Sequence, residues 1–401
     1  MGRQLVGRTL SSRAGLTPAR VVARVAALSA AVALALFSAP AAADNHVTLR
    51  GQYYREPSTR VVQPVVEIEK DLPAGFDVNT HVLLDAITSA SAASGPSGDT
   101  IFTEVRDEVG VRVGKNWERF RLTLGYSYSA ESDYWSHIGV AGGVLRLWGD
   151  SATLSFSVGA GHDTVSKRVQ GASPRPPPEF SLNQGFAGLW YGQILSPTIV
   201  VQGGYETALL DGYLGSPYRP VGPQGIEVIP SKRWRHALGL RGAKYLPDSG
   251  TGFQLHYRYY FDVYPGPSSD YAGQDPWRVT SHTVELRVFQ RLTANLELRL
   301  TGRYYSQGAA AFWCDLAQNA SCLSASTRSA FASVYTSDPK LSPVSTKFLE
   351  GKLYWDAIGW RGLDFFGWFS AGTFEISYGY YWQNTSYEGA NVLQAGYTIP
   401  Y

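Results

Sequence analysis

The chain has 401 residues, 17% of them charged and 13% aromatic, with 25 Tyr, 11 Trp and 42 Gly. Typical soluble domains carry about 25% charged residues, so a chain this poor in Lys and Glu and this rich in rings is not composed like a stack of solvated helices. The formal net charge of +2 gives no basis for a nucleic-acid partner, and none is expected.

Residues 1–43 read as a secretory signal peptide. Arg3, Arg8, Arg13, Arg20 and Arg24 are their only charges, an apolar run follows from Val25 to Phe37, and Pro40 precedes Ala41-Ala42-Ala43. Small residues therefore stand at −3 and −1 of a cut after Ala43. The run is shorter than the roughly 18 residues a spanning helix needs. Losing the five arginines leaves 30 Lys and Arg against 33 Asp and Glu, a mature net charge of −3.

From residue 44 onward the dominant pattern is alternation with period two, the signature of strands with one apolar face. In Asn295–Tyr304, Leu296, Leu298, Leu300 and Tyr304 oppose Glu297, Arg299, Thr301 and Arg303. Phe253–Asp262 and Phe120–Ser129 behave alike. The alternation predicts sixteen strands near 46–55, 60–71, 75–89, 102–115, 118–132, 137–148, 151–166, 182–195, 197–211, 232–246, 251–264, 277–291, 293–308, 344–357, 371–385 and 390–401. Fourteen or eighteen remain open because 309–370 is weakly patterned. Even-numbered connections are mostly tight, as at Pro73-Ala74-Gly75 and Gly149-Asp150. Most odd-numbered ones are long: 90–101, 167–181, 212–231, 265–276 and 309–343. Short turns at one end and long loops at the other are the pattern of an outer-membrane antiparallel β-barrel. Residues 44–401 are thus expected to form an all-β transmembrane barrel in the outer membrane of a Gram-negative bacterium, with lipid as its surroundings.

The last predicted strand must pair with the first, because lipid offers an open sheet edge no hydrogen-bond partner. Tyr397, Ile399 and Tyr401 fall on one face of that strand and resemble the C-terminal signal read by the barrel-insertion machinery. Pro400 departs from the pattern, since it lacks a ladder donor. Trp117, Trp148, Trp360 and Trp368 fall near the short turns, with Trp135 and Trp277 at the other rim, where interfacial girdles place such rings. Cys314 and Cys322 are expected to form one disulfide in an exported protein, with two free thiols as the alternative.

Six segments carry a resemblance: Asp85–Ser91 (DAITSAS), Ser129–Ser136 (SAESDYWS), Gly212–Arg219 (GYLGSPYR), Tyr257–Tyr260 (YRYY), Ser281–Thr283 (SHT) and Ser337–Leu341 (SDPKL). In this order they resemble an uncharacterised bacterial outer-membrane β-barrel family, the domain of unknown function 3570. The resemblance implies a barrel and an outer-membrane location, with no established activity. It also implies a periplasmic neighbour, with a redox lipoprotein as one possible partner.

On the strand map the lumen-facing charges separate. Strands two and three present Glu67, Glu69, Asp77 and Asp85. Strands ten to thirteen present Arg235, Arg241, Arg258, Arg287, Arg299 and Arg303, against Asp262, Glu285 and Glu297. Strands eight apart face each other in a sixteen-strand barrel, so an acidic wall would oppose a basic one. Such a transverse field suits a porin-like channel for small polar solutes. The bland alternative is that Glu285 and Arg287, and Glu297 and Arg299, pair across strands and merely satisfy the interior. Glu131 and Asp133, with Asp107, form a weak Ca²⁺ candidate at the long-loop rim; otherwise no metal or cofactor is implied. No nucleophile, base and orienting group can be assembled from His46, His81, His137, His162, His236, His256 and His282, so an enzyme is not expected. The competing function is a non-conducting barrel scaffold that docks a periplasmic or surface partner.

Overall fold

The computed structural model describes residues 45–57, 59–90, 101–166, 179–215, 228–314, 334–357, 372–385 and 389–401. The expected signal peptide lies outside them. The strands are β1 (His46–Arg55), β2 (Thr59–Leu72), β3 (Phe76–Ala90), β4 (Ile101–Asn116), β5 (Phe120–Ala130), β6 (Tyr134–Leu147), β7 (Ala152–Ser166) and β8 (Glu179–Ser196). They continue as β9 (Ile199–Gly212), β10 (Lys232–Leu246), β11 (Thr251–Val263), β12 (Thr280–Thr293), β13 (Leu296–Gln307), β14 (Val344–Asp356), β15 (Thr373–Gln383) and β16 (Ala390–Pro400). Each pairs antiparallel with its sequence neighbours, and β16 returns to β1, so the sheet is a closed barrel. All sixteen predicted strands are present, with ends shifted by a few residues.

Closure satisfies the backbone. The β1–β16 register runs from His46 opposite Pro400 to Arg55 opposite Asn391. Beyond it, the Tyr401 amide donates to the Asn45 carbonyl at 3.0 Å. Hydrogen-bonded and non-bonded pairs alternate along an antiparallel ladder. The pair 45/401 is bonded, so 46/400 is not, and the missing Pro400 donor points away from β1. On that side β15 already ends at Thr373, opposite Thr398. Pro400 therefore costs no bond to β1. The second strand proline, Pro64, coincides with a gap: the β2–β3 register passes from Val62–Ala86 to Val65–Leu83.

The outward face carries the apolar alternates. Leu240 (63% exposed), Leu349, Leu124, Leu255 and Ile376 stand bare in mid-strand, as expected where the solvent is hydrocarbon. Aromatics gather at both ends. Trp117 and Trp148 mark the short-turn end, while Trp234 and Trp382 face outward at the long-loop end. Trp360 and Trp368 lie outside the described residues. The tight turns use the left-handed region: Gly75 has φ of 75°, and a Cβ there would stand 3.0 Å from the Asn116 carbonyl oxygen.

The lipid face can be tested directly. Leu240→Arg should lower the unfolding free energy by about 2–4 kcal/mol, the cost of a cation near the bilayer midplane, whereas Gln254→Arg on the inner face of the adjacent strand should cost far less. Reversible urea unfolding in lipid vesicles would measure both, and equal effects would contradict the assigned faces.

Candidate functional site

The pairing registers fix which side chains face inward. Glu67, Glu69, Asp77 and Asp85 line the lumen on β2 and β3, and Arg235, Arg241, Arg258, Arg287, Arg299 and Arg303 line it on β10–β13. The acidic wall is not left bare. Asp85 is ion-paired with Arg106 of β4 at 3.0 Å, and Asp77 with Arg121 of β5 at 2.8 Å. Glu69 lies 3.4 Å from His46, and Glu67 accepts from the Asn79 amide at 2.7 Å. The sequence map overlooked Arg106, Arg112 and Arg121, which share the inward parity on the next two strands. Cross-strand pairs are the unit of sheet stabilisation, so these arginines belong to the same surface as the acids.

The basic side is matched only in part. Arg287 contacts Glu285 at 2.7 Å and Arg299 contacts Glu297 at 2.6 Å. Both pairs are two residues apart on one strand, so they stack along the strand rather than across strands as expected. Arg258 approaches Glu206 at only 3.8 Å. Among the described residues Arg235, Arg241 and Arg303 form no ion pair. Arg241 lies over the Trp190 ring, 4.2 Å from its centroid, and Arg303 donates to the Tyr381 hydroxyl. Guanidinium groups stack on aromatic faces, and the contribution grows on desolvation.

Trp190 is an inward residue that the sequence reading missed. Its indole lies flat across β9 and β10, where a Cβ on Gly204 or Gly239 would collide with the ring. Its Nε1 donates to Glu206 at 3.1 Å. The available signal was two glycines with inward parity on the two strands that follow an inward Trp.

Part of the long-loop mouth is filled by a small hydrophobic core. Trp277, Val279, Ala310, Phe312, Val334 and Leu341 are all buried there, with Leu214, Ile229 and Trp313 packed against them. They come from the β9–β10, β11–β12 and β13–β14 connections. Backbone bonds tie these together: Tyr335 N donates to Val228 O at 2.7 Å, and Ala311 N to Pro276 O at 2.9 Å. Trp277 was expected at the lipid rim; it is instead 1% exposed inside this core. Its indole N–H donates to the Lys232 carbonyl at 2.7 Å.

Asp262 joins wall to loops. It is buried at the top of β11, pairs with Arg233 of β10, and accepts from the Val279 amide at 2.8 Å and the Tyr260 hydroxyl at 3.2 Å. Arg233 in turn lies over the Trp277 ring at 4.3 Å. Asp262 therefore gives its ion pair to Arg233, while Arg235, its neighbour across the β10–β11 ladder, meets it only through the longer-range field. In the loops, burial and the hydrogen bond to Asp270 push the Tyr264 hydroxyl above its usual pKa, so it stays a neutral donor there.

Cys314 is buried beside this core and disulfide-bonded; Cys322 lies outside the described residues. Tyr397 stacks on Phe374 with centroids 4.1 Å apart, and Ile399 pairs with Val47. Glu131 and Asp133 lie in the short β5–β6 connection. Asp107 pairs with Ala130 beside them, but among the described residues no group of three or more His, Cys, Asp or Glu is arranged to hold a metal ion.

Between the loop core and the walls of β7–β13 lies a cavity of about 890 Å³. Two others, of about 590 and 540 Å³, open against β1 and β14–β16 and against β9–β12.

Residues 182–356 match the family described as "Protein of unknown function (DUF3570)". Four of the six resembling segments fall wholly inside that match; Asp85–Ser91 and Ser129–Ser136 do not. No curated protein matches the chain. Among solved structures it is similar to CdiB from Acinetobacter baumannii, with a TM-score of 0.53 at 8% identity over 90% of this chain and 61% of that one. It therefore spans less than two thirds of CdiB, and the likeness shows the fold alone. OccD3 (OpdP) of Pseudomonas aeruginosa matches with a TM-score of 0.44 at 12% identity, over 89% of this chain and 90% of that one. A loop-deletion mutant of OmpT, an outer membrane protein of Vibrio cholerae, matches at 0.42 and 10% identity, over 89% of this chain and 98% of that one. The closed sheet with an apolar belt and aromatic rims makes this chain an outer-membrane β-barrel protein of a Gram-negative bacterium.

Removing Asp262 should release the loops without opening the barrel. Asp262→Ala leaves Arg233 buried and unpaired, a loss of about 3–5 kcal/mol for such pairs. Amide exchange at Val279 and along 276–281 should accelerate strongly, while the β3–β4 ladder stays protected. Unchanged exchange at Val279 would refute the role given to Asp262.

Proposed function

We propose that this protein is a porin-like, non-enzymatic channel through which small polar solutes cross the outer membrane. The observation that carries the proposal is the imbalance of the lumen surface. Among the described residues Arg235, Arg241 and Arg303 form no ion pair, whereas Asp77 and Asp85 on the facing strands each have an arginine. A lumen with unneutralised guanidinium groups on one wall attracts anions and orients dipolar solutes as they pass. The field is more one-sided than two opposed walls would make it.

The alternative is a non-conducting scaffold that docks a periplasmic or surface partner, a redox lipoprotein being one form of it. The apolar loop core favours it, because it fills part of the mouth where a solute would enter. Conductance separates the two. In a planar bilayer with a KCl gradient the wild type should favour anions. Replacing Arg241, Arg287 and Arg299 together with Ser should move the reversal potential toward the cation limit, and Glu69→Gln should move it the other way. A large conductance insensitive to both changes would reject the field. Liposomes that fail to swell with sugars of any size would favour the scaffold.

A further inference from the structure

We infer that the cavity beneath the loop core is a binding site for a small organic oxyanion, specifically a carboxylate carried on an apolar body. The inference rests on the channel reading only in making this cavity a station on the solute's path; the site itself stands on its own geometry.

Its charges do not cancel. Arg233, Arg235, Arg258 and Lys340 line the cavity, against Glu206 and Asp338. Arg233 is already held by Asp262. Glu206 accepts from Trp190 and leaves Arg258 at 3.8 Å, too long for a hydrogen bond. The Asp338 carboxylate accepts from the Lys340 backbone amide at 2.8 Å. Among the described residues Arg235 forms no ion pair: Asp262, opposite it on β11, is bonded to Arg233, and the Arg235 Nε is buried without an acceptor. Guanidinium cannot shed its proton in a protein, so the cation persists at a cost unless an anion meets it. A carboxylate accepts two parallel N–H bonds from such a fork.

The cavity is also lined by apolar groups of the loop core, Leu214, Ile229, Trp277, Val279 and Leu341. The volume of about 890 Å³ lies in the range of small-molecule sites, which combine apolar walls with a few placed polar groups. Cationic forks and hydrocarbon in one cavity select an amphipathic anion over an inorganic ion or a sugar.

The test is binding to the refolded full-length barrel in detergent, followed by calorimetry with benzoate, its neutral isostere benzamide, phenyl phosphate and inorganic phosphate as probes. Benzoate should bind saturably and benzamide should not. Arg235→Gln, verified as folded by its heat-modifiable gel mobility, should weaken benzoate about tenfold or more, as loss of a charge-assisted contact does. Arg112→Gln, on the other wall, should leave it unchanged. Absence of saturable benzoate binding, equal binding of benzamide, or indifference to Arg235→Gln would each overturn the inference. Tighter binding of phenyl phosphate than benzoate would overturn the carboxylate assignment, and equal binding of inorganic phosphate would overturn the need for an apolar body. Since no bilayer is involved, benzoate binding in a barrel that does not conduct would refute the channel alone, and conduction without benzoate binding would refute this site alone.

Discussion

Hydrocarbon forms no hydrogen bonds, and the rest of this molecule follows from that. A sheet placed in lipid must leave no edge, so β16 has to find β1 across at least 336 residues of sequence, the separation of Arg55 from its partner Asn391 (391 − 55). Side chains reinforce the seam from the inside. Thr48 and Thr398 share a hydrogen bond at 3.0 Å, Gln394 donates to Gln52 at 2.7 Å, and Arg50 meets Glu375 at 2.7 Å. Lys352 of β14 reaches the same Glu375 at 2.9 Å. Once the seam fixes the register, parity decides every other face: each residue on the ladder is committed to lipid or to lumen, and a shift by one would exchange them all.

The inner surface then has to accommodate every polar side chain excluded from the outside. Much of it is solved by local pairing. Arg106 with Asp85, Arg121 with Asp77 and Arg287 with Glu285 are the economical solution. Where carboxylates run out, rings substitute. Arg299 lies 3.7 Å from the Tyr354 centroid as well as beside Glu297, and Arg241 lies over Trp190. The Gly204 and Gly239 backbones leave room for that indole, so the choice of glycine on two strands is part of how one arginine is held.

The barrel was legible in the sequence because alternation is a local property. Leu296, Leu298 and Leu300 announce their face without reference to any other strand, and Pro73-Ala74-Gly75 announces its turn. Charge pairing is not local in that sense. Whether Asp85 is bare depends on Arg106, which stands opposite it only when the β3–β4 register is known. The same holds for Glu206, Trp190 and Arg258, contributed by three different strands. Trp277 failed for another reason: a ring beside a predicted rim can face lipid or fold over the lumen, and loop packing rather than strand parity settles which. The prolines divide likewise, since the sequence marks Pro400 as a missing donor while only the ladder phase tells which way that donor would have pointed.

The loop core adds a constraint of its own. Packing an apolar cluster against a wall of arginines would ordinarily strand their charge, and burying an unpaired cation costs several kcal/mol. Asp262 removes that cost for Arg233, and the Trp277 ring covers the guanidinium face that remains. Two residues further down the same strand, Arg235 stands opposite the same Asp262 without an ion pair to it. Sequences tend to agree with their folds at every level except where something other than stability fixes a residue. Neutral side chains of similar length would line this cavity at lower cost. That guanidinium, without an ion pair among the described residues, stands at the point where the loops, the basic wall and the cavity of about 890 Å³ meet.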